Sequence, residues 1–442
     1  MTGTWRTRRR LLAGATVLVV AAGATAVGLA TGGGGRATAT ATAATPPPAP
    51  KDPLAADIAT EQAALRANGT DYTAWGQLGL DYVQRAKVTV NPAYYPKAEG
   101  ALRRSLSLNN TENSVAMAGM AALSAAQHNF AAALDWAQRG LRIDPYSATL
   151  YGALDDAQTQ LGRYDDAAAA TQRMLDLAPG VPSFTRAEYV YELRGDIPRA
   201  RDALRRALAS ATAPADRAFA HYYLGELAFS TGDPATALTE SLAGLAADPT
   251  DSSCLEGKAK AEAALGRTDA AVADYTALVN AVPQPQYVAE FGDLLTSLGR
   301  GAEAKTQCDL FQAENRLFTA NGVTLDTDAT LFYADHGQPE LALRHGATGI
   351  RARPFVEMDD AYAWALHVNH RDAEALDWEN KAMGLGTRNA LFFFHRGLIE
   401  ESLGNPADAR SDLLQAVRIN PFFSPVRAPA ARAALARLGG AA

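Results

Sequence analysis

Two cysteines in 442 residues, Cys254 and Cys308, are too few for a disulfide framework, and neither belongs to a C-x-x-C pair that could hold zinc. A bond between these two alone stays open, since they stand in adjacent segments of a repeating pattern and export would permit it. Catalytic signatures are missing as well. No G-x-S-x-G, H-E-x-x-H or G-x-x-x-x-G-K string occurs, and the glycines at 32–35 do not follow a strand. Acid pairs such as Asp155-Asp156, Asp165-Asp166 and Asp359-Asp360 recur at ordinary helix positions, which gives glycosidase chemistry no geometric support. No catalytic residue, cofactor motif or metal-ligand set emerges, and the chain reads as a non-enzyme. Basic charge is scarce too. The formal net charge is -7, and six of the basic side chains fall in the first 52 residues beside a single acid, so the remainder is more acidic still. Such a body repels phosphate backbones and excludes nucleic acid as the expected ligand.

The chain has one long uncharged run, Leu11 to Ala30, preceded by Arg6, Arg8, Arg9 and Arg10. As a helix, twenty residues would span about 30 Å, enough to cross a bilayer. The arginines before it favour a cytoplasmic start and export of the rest. Two readings stay open: a signal peptide cleaved near Ala24, Ala26 or Ala30, and a retained signal-anchor. The segment Thr7–Leu12 loosely resembles a twin-arginine export signal, without its usual Phe. No cysteine follows the run, which excludes a lipoprotein anchor. Residues 31–53 are rich in Gly, Thr and Pro, with no periodic apolar face, and read as an extended linker. The expected location is extracytoplasmic, either secreted or membrane-anchored through residues 11–30.

What dominates the rest is a ladder of alanines: Ala133, Ala167, Ala200, Ala237, Ala271, Ala304, Ala342, Ala375 and Ala409. The spacings lie between 33 and 38 residues. Five residues before each stands a turn-former: His128, Gly162, Gly195, Gly232, Gly266, Gly299, Gly337, His370 and Gly404. Twelve residues after six of them stands a proline: Pro145, Pro179, Pro249, Pro283, Pro354 and Pro421. A period near 34 marks a helical repeat array. In the unit 161–179, Gly162 ends a first helix, Asp165 and Asp166 begin a second, and Ala167 marks the close crossing of the two. Leu175 and Leu177 are expected to face the core, and Pro179 to start the next turn.

Trp75-x-x-Leu78-Gly79-x-x-Tyr82, followed by Ala98, Leu102 and Ser105, places its apolar positions on one helix face. These residues, with the alanine ladder and the prolines, resemble the tetratricopeptide repeat. The likeness covers residues 72–421 and predicts an all-α, right-handed α-solenoid of about ten helix-turn-helix units. Residues 54–71 would form an N-terminal capping helix and 422–442 a C-terminal one with a tail. The first unit carries an insertion, residues 87–96, read as a surface loop. Units four and seven have longer second helices or loops. Lys258 with Glu262 and Arg396 with Glu400 would pair at i, i+4.

The resemblance implies a concave surface lined by the first helices, which in the family binds peptides or another protein. Carried onto this chain, it gives Tyr189, Phe219, Tyr222, Glu226 and Phe229 as an aromatic cluster. Glu256, Lys260, Glu290, Asp293, Asp328, Asp335, Asp360 and Trp364 continue it as a mainly acidic one. Aromatic anchors in a charged surround suit a peptide groove, here one with basic segments. Equally, the aromatics could pack against neighbouring helices and the acids simply face solvent. Relatives that clamp acidic chaperone tails use Lys and Asn where this chain has Gly76, Leu80, Ala118 and Ala122, so that clamp is absent. His367 and His370, beside Asp372, lack a third ligand on the same segment and read as turn residues, as do His336 and His345. The resulting expectation is a protein- or peptide-binding scaffold of the cell envelope. The alternatives are an accessory or assembly factor for an envelope enzyme or transporter, and a small-molecule or metal binder in the groove.

Overall fold

The computed structural model describes residues 52–323 and 326–439. The apolar run at 11–30, the basic segment before it and the linker up to residue 51 lie outside them. Among the described residues there are twenty-two α-helices, one short 3-10 turn and no strand. Helix α1 (Pro53–Ala67) precedes ten antiparallel pairs. The first five are α2/α3 (Tyr72–Val88, Tyr95–Leu108), α4/α5 (Ser114–Ala126, Phe130–Ile143), α6/α7 (Ala148–Gln160, Tyr164–Leu177), α8/α9 (Val181–Glu192, Ile197–Ser210) and α10/α11 (Pro214–Ser230, Pro234–Ala247). Then come α12/α13 (Ser252–Ala264, Thr268–Ala281), α14/α15 (Pro285–Ser297, Gly301–Ala320), α16/α17 (Asp326–Asp335, Pro339–Ala352), α18/α19 (Val356–Val368, Asp372–Ala382) and α20/α21 (Ala390–Ser402, Pro406–Ile419). Helix α22 (Arg427–Arg437) packs on the last pair. The chain is an all-α repeat solenoid, and no described helix is long and apolar enough to cross a membrane.

The five-residue offset in the sequence has a local cause. All nine turn-formers, His128 and His370 included, have positive φ. Each is followed at once by the N-cap of the second helix. In the third unit the amide of Gly162 donates to Thr159 O at 3.0 Å and that of Arg163 to Gln158 O at 2.8 Å. This Schellman pattern satisfies the last carbonyls of the first helix while reversing the chain. Asn129, Asp196 and Asp233 then accept from backbone amides in the first turn of their helices. The ladder alanine falls one turn further on, where the two helices touch. Eight of the nine are at most 2% exposed and Ala304 is 6% exposed, so any added methyl would meet the partner helix.

Some details differ from the sequence reading. Leu175 and Leu177 are only half-buried, and the core face of α7 is formed by Ala167, Ala170, Thr171 and Met174. The inserted segment is not wholly a surface loop, since Pro92 and Tyr95 are buried and Tyr94 tilts against Tyr82. Unit seven does have a long second helix, α15, of 20 residues. The extra residues near unit four instead lengthen the next first helix, α10, to 17 residues. Lys258 pairs with Asp274 at 2.6 Å and stands 3.9 Å from Glu262, and Arg396 makes two 2.8 Å bonds to Asp412. Lys258 therefore pairs with Glu262 along its helix and more closely with Asp274 across the helix pair, whereas Arg396 binds across its pair to Asp412. Cys254 and Cys308 are both free thiols.

The solenoid wraps onto itself. Arg353 reaches Gln160, Thr387 reaches the carbonyl of Leu193, and Asn420 reaches that of Phe229, over sequence separations of 193, 194 and 191 residues. One superhelical turn thus takes between five and six units. The turns inside units two to five rest on the loops that follow units seven to ten. Glycine is required there twice over. A Cβ on Gly162 would lie 2.6 Å from Pro354 O, and one on Gly195 would lie 2.5 Å from Gly386 O. The equivalent turns at Gly266, Gly299, Gly337 and Gly404 have nothing within 4 Å and need glycine only for its positive φ.

Candidate functional site: the charged inner face

Wrapping brings the first helices of successive units side by side, and polar residues one repeat apart meet. In the third and fourth units Arg186, 2% exposed, donates to both oxygens of Asp156 at 2.9 and 2.7 Å. Asp155 accepts from Thr171 at 2.5 Å and lies 3.5 Å from Arg186. Burial, then the charge of Asp156, pushes Asp155 up to about 8, against the pull of Arg186. At the seam, Arg353 grips Asp326 with bonds of 2.6 to 2.9 Å, and His128 stands 3.6 Å from the same carboxylate. Burial alone would raise Asp326, but Arg353 and His128 outweigh it and hold the carboxyl well below its usual range. Glu188 and Glu192 lie on one face of α8, and burial leads the rise of both, Glu192 to about 7.

The expected groove residues occupy this face, but much of it is already engaged. Tyr189, 6% exposed, donates at 2.6 Å to Glu357, a full superhelical turn away. Tyr222 is buried edge-on against Tyr223, and Phe219 makes a second edge contact with the same ring. Glu226, Phe229 and Glu256 meet around one cation: Lys260 Nζ is 2.7 Å from Glu226, 2.8 Å from Glu256 and 5.2 Å from the Phe229 ring centre. Glu256 is fully buried, and the Lys260 contact is electrostatic rather than an aligned hydrogen bond. Burial first, then Glu290, raises Glu256 well above the usual carboxylate range despite Lys260. Glu290 accepts from Tyr275 and Gln286. Asp328 is an exposed residue, yet desolvation of its carboxyl by the neighbouring wall raises it in spite of Arg353.

Asp293 and Asp335 are joined by Arg427 of the terminal helix, which donates to Asp293 at 3.1 Å and also contacts Asp335. Trp364 donates to Asp335 at 2.9 Å and stacks on His395 at 4.3 Å between ring centres. Asp360 does not face an open groove. It is 1% exposed and bonded at 2.7 Å to His395, which is itself fully buried. The face thus brings Glu226, Phe229 and Glu256 together, links Asp360 to Trp364 through His395, and leaves Tyr189 and Tyr222 as packing residues. His367 turns to Asp372 at 2.6 Å and His336 to Phe332 O at 2.7 Å, so neither joins a donor cluster.

Sequence reasoning missed Arg353, Glu357, Glu379, His395 and Arg427. The available signal was the period itself. Glu226 and Lys260 are 34 residues apart, and Asp360 and His395 are 35 apart. Complementary polar residues at one repeat length are candidates for contact between neighbouring first helices.

A sequence profile of the tetratricopeptide repeat family matches residues 191–252, which span the end of α8 to the start of α12. No curated protein matches. Similar solved structures include a tetratricopeptide repeat protein from Parabacteroides merdae at 19% identity, covering 54% of this chain and 93% of that one, with a TM-score of 0.33. A thermophilic tetratricopeptide repeat protein of Thermus thermophilus aligns at 21% identity over 42% of this chain and 98% of its own, with a TM-score of 0.38. The human IFIT1 dimer, solved with PPP-AAAA, aligns at 13% identity over 83% and 87%, with a TM-score of 0.46. Nine helix pairs with a left-handed turn at one offset from a buried alanine at their crossing, together with the family match over residues 191–252 in the middle of the array, give this chain the tetratricopeptide repeat pattern.

Proposed function

We propose that this protein is a binding scaffold of the cell envelope that takes a protein or peptide with basic segments along its inner face. The observation that carries this reading is Arg427. Its guanidinium bridges Asp293 and Asp335, carboxylates from two different units. These acids stand where an incoming Arg or Lys could make the same charge-assisted bonds. Asp293 and Asp335 keep 23% and 17% of their side chains exposed, so the bridge is reachable from solvent. Further along the face Glu226, Glu290 and Glu357 remain half-buried and Asp328 is exposed. This acidic lining opposes nucleic acid and favours cationic partners. The envelope assignment rests on the basic residues, apolar run and linker at 1–53, as a signal peptide or membrane anchor.

Crosslinked affinity capture from intact cells tests both parts, with wild type beside Asp293→Asn/Asp335→Asn. A partner recovered by wild type, and lost with the folded double variant, supports the inner face. Equal recovery by both proteins refutes it. Recovery in a cytoplasmic fraction alone refutes the envelope assignment.

A further inference from the structure

Three side chains that the binding face does not use converge inside units nine and ten. They are Asp360 on α18, Glu379 on α19 and His395 on α20, at 1%, 0% and 0% exposure. One donor atom from each lies within 4.8 Å of the others. Their hydrogen bonding is incomplete. His395 Nδ1 meets Asp360 at 2.7 Å, but His395 Nε2 and both carboxylate oxygens of Glu379 have no hydrogen-bond partner among the described residues. Polar atoms buried this deeply are ordinarily satisfied, and an unpaired buried carboxylate is among the costliest groups a protein can hold.

The surroundings do not supply the missing charge. Arg396 is the nearby cation, but it is committed to Asp412 and Asn380. Trp364 covers the imidazole as a stacked wall, 12° from parallel.

We propose that Asp360, Glu379 and His395 form a binding site for a divalent first-row transition metal ion of the zinc type. One imidazole and two carboxylates are a nitrogen–oxygen donor set that such ions accept. Two carboxylates with a neutral imidazole cancel the ion's double charge, so the buried complex is neutral. Ligands about 2.1 Å from an ion sit roughly 3 to 4 Å from one another, and the three donors need only a small inward shift. The site joins both helices of unit nine to the first helix of unit ten. Bound metal would therefore clamp the end of the array just before its cap. Because the cluster is sealed, the ion enters during folding or when the terminal units open.

The test uses the full chain, unfolded and refolded with and without equimolar Zn2+, then freed of loose metal by gel filtration. Wild type should retain about one zinc per chain by elemental analysis and melt at a higher temperature than the zinc-free preparation. Refolding with Co2+ should give the visible absorption of a bound ion. Glu379→Gln keeps the shape of the side chain and removes its charge, and His395→Gln removes the nitrogen donor. Each should weaken zinc retention by roughly 100-fold or more while the far-ultraviolet helix signal is kept. Failure of wild type to retain zinc or raise its melting temperature overturns the proposal, whatever the variants do. So does retention of zinc by folded Glu379→Gln. A Glu379→Gln protein more stable than zinc-treated wild type would also overturn it, and would assign the cluster to a proton shared between Glu379 and Asp360.

Discussion

Replacing Gly162 by alanine separates two demands that the fold places on one residue. Gly162 has a φ of 71° and Gly404 one of 79°, so alanine at either site enters the left-handed region at about 1–2 kcal/mol. The reduced freedom of the unfolded chain offsets about 0.4–1 kcal/mol of this in both variants. Beyond that the two sites diverge. At Gly404 the new Cβ meets nothing within 4 Å, whereas at Gly162 it would lie 2.6 Å from Pro354 O. Relief requires moving a backbone segment of unit eight away from unit three, and overpacking of this kind costs about 1–3 kcal/mol. Gly162→Ala should therefore lose that much more stability than Gly404→Ala. Urea unfolding of both variants reads the difference. Small-angle scattering adds an independent check, since a loosened seam expands the Gly162 variant and leaves the Gly404 variant at wild-type size. Equal destabilisation with unchanged dimensions would refute the wrapped superhelix.

Other outcomes follow from the buried charges. Arg353→Met strips Asp326 of its main counter-charge at the seam and should destabilise by about 3–5 kcal/mol in thermal or urea unfolding. Asp155 and Glu192 are raised to about 8 and 7, so between roughly pH 4 and those values the folded chain holds protons that the unfolded chain releases. Their contribution to stability is complete below the unfolded pKa values and is lost as pH rises toward 8. Each contributes a slope of about 1.4 kcal/mol per pH unit at most. Melting temperature should thus be higher near pH 5.5 than near pH 8, with a flatter profile in Asp155→Asn. Ala167→Leu, at a crossing where the alanine is 1% exposed, should force α6 and α7 apart and cost about 1–3 kcal/mol by urea titration.

The fold was legible because each repeat satisfies a local rule. A left-handed turn residue, an N-cap and a small residue one turn later recur at fixed offsets, and that grammar needs no long-range information. Even His128 and His370, which lack the freedom of glycine, could be placed in the turn by position alone, and both have positive φ. The repeat period did not reveal the pitch of the superhelix. Nothing in the Gly162 unit distinguishes it from the Gly404 unit until the two are seen to face Pro354 O and open space. For the same reason the groove was only partly legible. Tyr189 and Asp360 were placed on the first helices correctly, but their partners Glu357 and His395 come from other units. A residue on the inner wall of a wide superhelix meets solvent, whereas in a tight one it meets another repeat. The pitch decides between these, and it is a sum of small rotations between units.

The most direct test of the binding account is an equilibrium titration of an arginine-rich fluorescent peptide into three folded proteins at low and high salt. They are wild type, Arg427→Ala and Asp293→Asn/Asp335→Asn. If the inner acids receive a basic partner, Arg427→Ala frees both carboxylates and binds several-fold more tightly than wild type. The double variant then binds more weakly, with a shallower salt dependence. Identical affinities in all three would contradict the account and move any partner to another surface.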